Sequence, residues 1–527
     1  MFDRPIRSCL AALGVAGALL AVAAAPVLAQ APTARLAVFQ TDATVAAGGP
    51  ARVVQPVLFA TESLLLDKAT FTFELTGLGN GVTFDKGAVN TDRCAAEAVR
   101  LVCTEHLVGV DEDGYRGRIN VPLTAVRGAS GVGQLRTTFS ASGYQSASYT
   151  SEVRVGAGVD LSAGPERKAS AAPGGAFTSP LEVRNAGSTV ADGAVAVFIA
   201  DHAIRAGKRH SNCLYHQDRL ISCSFASTLA AGASYTAPVA HRLGKDTYAP
   251  GGAYAEIIWM TPADFKDYRA YLGRMGLPIG APGAGDTLTL TRSGAARAAA
   301  VPQTDINEDN DSSGLEVTVA GRQGADLAAI GDTATAKVGD VVTATVGFVN
   351  NGPASIDASR SGGPITRVKV DIPAGTTAVE IPAGCYAMKD GEVDVDREDQ
   401  PGASAYLCYS DSFAKVGESE TVDFRLRVDK VTANATGAVM VNVPCQCEGF
   451  DEDLNRSNDT AKIVINPTTA AGPGAGQGGT PGAGQGGGLP VTGPATGLLA
   501  GAGALLVVGG TGLAFALARR RRTRFVA

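Results

Sequence analysis

Histidine is scarce in this chain: its 527 residues include five, and four of them, His202, His210, His216 and His241, fall within one stretch. Tryptophan occurs once, at Trp259. The usual spacings of reactive residues are also missing, with no Gly-x-Ser-x-Gly, no His-Glu-x-x-His and no phosphate-binding glycine loop. An enzyme of this size normally shows a nucleophile with its base, or a metal cluster, so catalysis is not expected. A lone tryptophan counts against a carbohydrate-binding platform. The formal net charge of -6 is mild for the length and no basic stripe interrupts it, which argues against a nucleic-acid partner.

What is present begins at the two ends. Arg4 and Arg7 precede an apolar run over 10–25, and Val27 and Ala29 are the small residues a signal peptidase reads. Residues 1–29 are therefore expected to be a signal-peptide helix that is removed, taking Cys9 with it. Eight cysteines then remain, Cys94, Cys103, Cys213, Cys223, Cys385, Cys408, Cys445 and Cys447, an even number that suits disulfides in an exported chain. After Pro467 the composition turns to Gly, Pro, Ala and Gln, with "PGAGQGG" twice over 468–488. Lacking large side chains, this stretch is expected to be a flexible tether spanning on the order of 25 Å.

Between the ends the chain repeats itself. "AAGGPARVVQPVLFATES", "AAPGGAFTSPLEVRNAGS" and "AKVGDVVTATVGFVNNGP" each combine a Gly turn, an alternating run and a turn-like end. Farther on, Cys103, Cys223 and Cys408 each precede a glycine (Gly114, Gly232, Gly417), and a second cysteine lies upstream in every copy. Copies two and three close alike, with "DINEDNDSSGLEVTV" and "DEDLNRSNDTAKIVI". A period above about a hundred residues means tandem domains rather than a solenoid. Runs such as "TFTFELTGL", "DVVTATVGFVN" and "TVDFRLRVDK" alternate apolar with polar residues and favour β-branched types, with Gly, Pro, Asn and Asp between them. The expected fold is all-β, with three tandem immunoglobulin-like β-sandwiches over 30–156, 157–320 and 321–467. One segment departs from this. In "TPADFKDYRAYLGRMG" Thr261 can cap a helix, Pro262 suits its first position, and Phe265, Tyr268, Leu272 and Met275 share a face. A helix over 261–275 is expected as an insertion that projects from copy two as an accessory surface.

The cysteine pair recurs in every copy, so intramodule bonds Cys94–Cys103, Cys213–Cys223 and Cys385–Cys408 are the economical pairing. Cys445 and Cys447 then link to one another, or else pair with Cys385 and Cys408. His210, Cys213 and His216 have a spacing that suggests a metal, but Cys213 sits at the repeated disulfide position and an oxidised sulfur cannot ligate zinc. The histidines are expected at the surface, with no metal bound. Asp305, Asn307, Asp309, Asp311 and Glu316 are spaced like a Ca²⁺ loop, yet Asn310 stands where such a loop needs glycine. A solvated turn is the expected reading; no cofactor is expected, and Ca²⁺ is the one ion the spacing would admit. "DGEVDVDRED" reads as an exposed acidic loop.

"KVGDVVTATVGFVNNGP" and "DEDLNRSNDTAKIVI" resemble the Asn-Asn-Gly-Pro-type immunoglobulin-like repeats of bacterial surface proteins, most closely in copy three and least in copy one, which lacks the Asn-Gly turn. The resemblance implies non-catalytic spacer or adhesive modules. Leu489, Pro490, Val491, Thr492 and Gly493 resemble the sorting signal of Gram-positive surface proteins. The apolar run 495–518 behind them is long enough for a transmembrane helix, and Arg519, Arg520, Arg521 and Arg522 would stay cytoplasmic. The sorting resemblance, over 489–527, implies a sortase transpeptidase as partner, a transient stay in the membrane, and covalent attachment to peptidoglycan at the cell surface through Thr492. The implied role is a structural stalk or an adhesin, and any host or matrix ligand is unnamed by the sequence. The rivals are a surface carbohydrate-binding or hydrolytic protein and a minor pilus subunit; the last lacks a Tyr-Pro-Lys acceptor motif.

Overall fold

A computed structural model describes residues 34–110, 114–116, 119–292, 302–442 and 453–467. Within them are three hydrophobic cores, each between two β layers, which define three immunoglobulin-like sandwiches called here modules one, two and three. The signal peptide, the Gly-rich tether, the sorting motif with its apolar run, and Cys445 and Cys447 lie outside the described residues.

The modules share one device at their start. In module two, Leu161–Ala163 pairs antiparallel with Ala176–Asn185, and the chain then crosses to the other layer, where Arg167–Ala171 runs parallel to the module's last strand, Ser312–Gln323. Module three repeats this with Leu327–Ile330 against Val341–Asn350, then Asp332–Ala334 beside Thr460–Ile465. Module one does the same with Leu36–Phe39 against Val57–Ala60, then Ala43–Ala46 beside Ala147–Val159. The crossing passes close to a neighbouring strand, and module three has Gly331 there because a Cβ would strike the Lys462 carbonyl.

Alternation then fills each sandwich. Phe71 and Phe73 point inward from Leu64–Thr76, and Phe71 meets Phe139 edge to face at 5.0 Å. In module two Trp259 is fully buried and its indole N–H donates to the Glu182 carbonyl at 3.0 Å. Burying such a ring is worth about 1.5–3 kcal/mol, and the hydrogen bond removes the cost of hiding its polar end.

Among the described residues three disulfides form, Cys94–Cys103, Cys213–Cys223 and Cys385–Cys408. In each the two cysteines are direct partners on neighbouring antiparallel strands of one sheet, with Cα atoms 4.0 Å apart. Antibody domains instead use a disulfide to join the two sheets. These bonds brace one layer and leave the inter-sheet core to side-chain packing.

The Asn-Gly turn has a physical reason. Asn350 is fully buried; its side-chain amide donates to the carbonyls of Ala354 and Ala414, both at 2.9 Å, and its Oδ1 accepts from the Gly352 N–H at 2.8 Å. Asn185 does the same work in module two, donating to Thr189 and Leu229 and accepting from Gly187. In both, one side chain satisfies three backbone groups of a buried turn, which an apolar residue would leave unpaired. Module one has Ala60 at the matching register position, opposite Leu36 as Asn185 is opposite Leu161. The motif is absent there because its turn is built without it.

"DGEVDVDRED" is not a loop as expected. Glu392–Glu398 forms an edge strand against Cys385–Lys389, and its charged residues suit an edge by discouraging further pairing.

Candidate functional site: the junction of modules one and two

The helix is present as Pro262–Arg274, called α1. Thr261 caps it, its Oγ1 accepting from the Asp264 N–H at 3.1 Å, with Pro262 in the first turn. Phe265 packs on Val195 and Val197, with Leu214, Met260 and Tyr268 around it, so α1 covers the outer face of a module-two sheet.

Its other contacts correct the expectation of a projecting accessory surface. Tyr271 stacks on Phe39 of module one at 6.4 Å, and the Arg274 guanidinium sits 6.0 Å over the same ring. Asp267 forms an ion pair with Arg154, whose Nε also donates to Thr44 at 3.2 Å. Arg52 pairs with Glu308 and lies 3.6 Å from Asp264. Two arginines of module one therefore enter an acidic surface made by α1 and the turn before the last strand of module two. The backbones join as well: Gln303–Asp305 pairs in parallel with the end of Ala147–Val159. The helix is a buttress.

Asp264 ties these pieces together. It is buried, with Oδ1 accepting from the Thr304 hydroxyl at 2.9 Å and Oδ2 from the Asp305 N–H at 3.0 Å. Burial disfavours the charge on Arg52, but Asp264, Glu308, Asp267 and Asp305 together outweigh that and hold it protonated.

The acidic turn is also not the solvated turn expected. Asp305 Oδ2 accepts from the Leu161 N–H at 2.8 Å, and its Oδ1 accepts from the Asn307 N–H at 2.8 Å. In module three Asp453 does likewise for Leu327 and Asn455. Asn310 donates to Asp160, and Asn458 to Asp326. The shared closing pattern of copies two and three is thus a buried turn that secures the first strand of its own module. The copies differ at one place. Asn442 donates to both Asp453 and Asp459, at 3.0 and 3.3 Å. Since Val441 N–H bonds the Asp459 carbonyl as Trp259 N–H bonds that of Asp311, the residue matching Asn442 is Met260. Met260 has no donor to offer, and Asp311, 9% exposed, has no hydrogen bond to its carboxylate. Burial first, then the charges of Asp305, Glu308 and Glu256, push Asp311 up to about 8. Burial pushes Asp305 up to about 6.

The histidines depart from expectation too. His210 and His241 are buried, and His202 and His216 are partly so. His210 Nδ1 lies 3.0 Å from the Asp286 carbonyl, and His241 stacks on Phe177 at 5.2 Å. They pack as flat rings in module two, and Cys213, between His210 and His216, is oxidised. Among the described residues no group of three or more His, Cys, Asp or Glu is arranged to hold a metal ion, and no helix is long and apolar enough to cross a membrane.

No family model and no curated protein matches the chain. Among solved structures it is similar to a protein of Corynebacterium diphtheriae described as membrane anchored, at 13% identity over 82% of this chain and 91% of that one, with a TM-score of 0.17. It is also similar to an I-band fragment of titin, at 8% identity over 84% of this chain and 100% of the fragment, TM-score 0.15. A third is the Drosophila OTK extracellular domains 3–5, at 8% identity over 83% and 99%, TM-score 0.14. At these values the likenesses carry no argument about what the chain does.

Proposed function

We propose that the chain is an exported surface protein whose three modules form a stalk or adhesin held to the cell wall by sortase linkage at Thr492. The observation that carries this is the sequence order at the C-terminal end: the tether 468–488, then Leu489 to Gly493, then an apolar run and four arginines. The apolar run and arginines halt export with the pentapeptide outside the membrane. The sortase thiolate then adds to the Thr492 carbonyl, the bond to Gly493 breaks, and its nitrogen leaves with a proton. An amine of a wall peptide attacks the resulting thioester, regenerating the thiol and leaving Thr492 in amide linkage. Pro490 keeps the peptide extended, and Gly493 leaves the scissile bond uncrowded.

Disulfide-braced β modules suit an oxidising exterior. The extensive contact between modules one and two suits a spacer that keeps its length. Cell fractionation tests the anchoring. Thr492→Ala, or loss of the host's sortase, is expected to move the protein from the wall fraction to the detergent-soluble membrane fraction. Retention in the wall fraction in both cases would refute the proposal.

A further inference from the structure

We propose that the outer face of the disulfide-bearing sheet of module three is a recognition surface for an acidic segment with an aromatic anchor, and that residues 448–452 of the same chain occupy it. The inference does not depend on wall anchoring.

The disulfides put the three modules in register, so the same five outward positions can be compared. Beside Cys213–Cys223 they are Leu214, Ser222, Val197, Ser224 and Val195. The helix α1 lies on this face, and Val195 and Val197 are each 2% exposed beneath Phe265. In module one the matching residues are Ala95, Val102, Thr72, Thr104 and Thr70, small side chains whose hydroxyls suit water. In module three they are Tyr386, Leu407, Lys369, Tyr409 and Arg367. The Tyr386 and Tyr409 rings meet edge to face at 5.6 Å, and the Arg367 guanidinium sits 5.3 Å over Tyr409, which is 39% exposed. Tyrosine beside arginine is the composition of a contact surface rather than of a solvated sheet.

The connection leading to the last strand changes in step with this face. Val195 pairs with Met260, so α1, capped by Thr261, leaves the sheet at a corner of the face it covers. Asn442 matches Met260, and its N–H donates to Thr366 Oγ1 at 2.9 Å, next to Arg367. Module three's connection therefore starts from the same corner, although residues 443–452 themselves lie outside the described residues. In module one residues 142–146 suffice to join the two strands, and its face is the one that needs no cover.

The sequence of 443–452 supplies the complement. It holds Glu448, Phe450, Asp451 and Glu452, and neither lysine nor arginine. Phe450 takes the part that Phe265 plays in module two, and the carboxylates meet Arg367 and Lys369, which stand where Val195 and Val197 do there. Both ends of the connection are held, because Asn442 donates to Asp453 at 3.0 Å. Phe450 lies three residues from Asp453, a reach of about 10 Å. Tyr409 is on the second strand over from the one that Asn442 follows, also about 10 Å at ordinary strand spacing. The ring reaches Tyr409 with both ends in place.

Photo-cross-linking of the full chain tests this. With Phe450 replaced by p-benzoylphenylalanine, which keeps an aromatic ring, light is expected to join position 450 to peptides containing Tyr386 or Tyr409. Chains of two isotopic labels, mixed before irradiation, identify the occupant. Adducts to those peptides within one chain support the proposal. Adducts between chains, which put a second copy on the face, or adducts to other peptides alone, overturn it. Nitration by tetranitromethane gives a second reading: modification of Tyr409 should rise severalfold in Phe450→Ser, with Tyr144 of module one unchanged. Equal Tyr409 rates in both chains overturn the proposal, whether the face is bare or held by a separate partner. Should Phe450→Ser not fold, the cross-link decides, since it is read on a chain that retains the ring.

Discussion

The two junctions of this chain are built on different principles. Between modules one and two lie a shared strand pairing, an inserted helix, and the pairs Arg154–Asp267 and Arg52–Glu308, with Arg154 and Asp267 both buried. Between modules two and three the contacts are fewer and smaller. Ser355 donates to Asp246 through both its N–H and its hydroxyl, each at 2.7 Å; the His202 N–H reaches Asp357; and the His202 ring lies 4.3 Å from Phe413. Arg360 sits 5.3 Å over Tyr254 and 3.8 Å from Asp201, with most of its side chain in solvent. The difference teaches what an insertion can do in a repeat array. A helix of thirteen residues, added to one module, covers that module's sheet and at the same time gives the neighbour's arginines something to bind.

The comparison breaks most visibly at the arginines. Arg154→Ala leaves Asp267 buried without its partner and removes the donor to Thr44. Stripping one member of a buried pair costs about 3–5 kcal/mol. Arg360→Ala removes an exposed pair at the second junction, where about 0–1 kcal/mol is expected. Denaturant unfolding of the full chain, followed by Trp259 fluorescence for module two, should give a large drop for Arg154→Ala and almost none for Arg360→Ala. Equal effects would mean that the first junction is no more than a surface contact.

A smaller effect tests what separates module one from the others. Asn350→Ala abandons two carbonyls and one N–H of a buried turn, for a loss of about 2–3 kcal/mol in module three. Asn185→Ala should cost module two about the same. Ala60→Asn should bring module one no gain, since its turn is not shaped to receive the amide. Thermal unfolding checks all three, and stabilisation by Ala60→Asn would contradict the account of the motif.

Much of this was legible in the sequence, and the limits of legibility are physical. The sandwich modules could be read from alternation, the cysteine pairs from their recurrence, and α1 from Thr261 and Pro262, because each is a local signal. The destination of α1 could not be read. Asp264 and Asp267 look like the solvent face of a helix until Arg52 and Arg154, more than a hundred residues earlier, are brought against them. The same holds for the acidic turn. Asp305 and Asp311 suggest water, whereas one carboxylate is spent on the Leu161 N–H and the other is enclosed. His210 and His241 misled for a related reason, since residues distant in the sequence enclose their rings, the Asp286 carbonyl beside His210 and Phe177 against His241. Only Asn350 and Asn185 had a readable signal whose purpose was missed: an asparagine ending an alternating run, followed two residues later by glycine.

The smallest expected effect concerns acid, and it sharpens the contrast between the junctions. At the second junction burial first, then Arg205 and Arg219, lower His202 to about 4, so the folded state is penalised as pH falls from about 6.5 toward 4. Beside it, burial raises Asp201 to about 6 despite Arg360, so the folded state gains as pH falls through that value. The two contributions have opposite signs over nearly the same window and should largely cancel. At the first junction Asp305 and Asp311 are both raised, and their contributions add. Hydrogen-exchange protection across 201–204 and 355–360, corrected for the intrinsic pH dependence of amide exchange, should therefore change little between pH 7 and 4.5. His202→Phe keeps a ring against Phe413 and removes one of the opposing groups. That variant should make the second junction tighter in acid than at neutral pH, as Asp201 takes up its proton unopposed. If its profile stays as flat as that of the natural chain, the balance between His202 and Asp201 is not what steadies this junction.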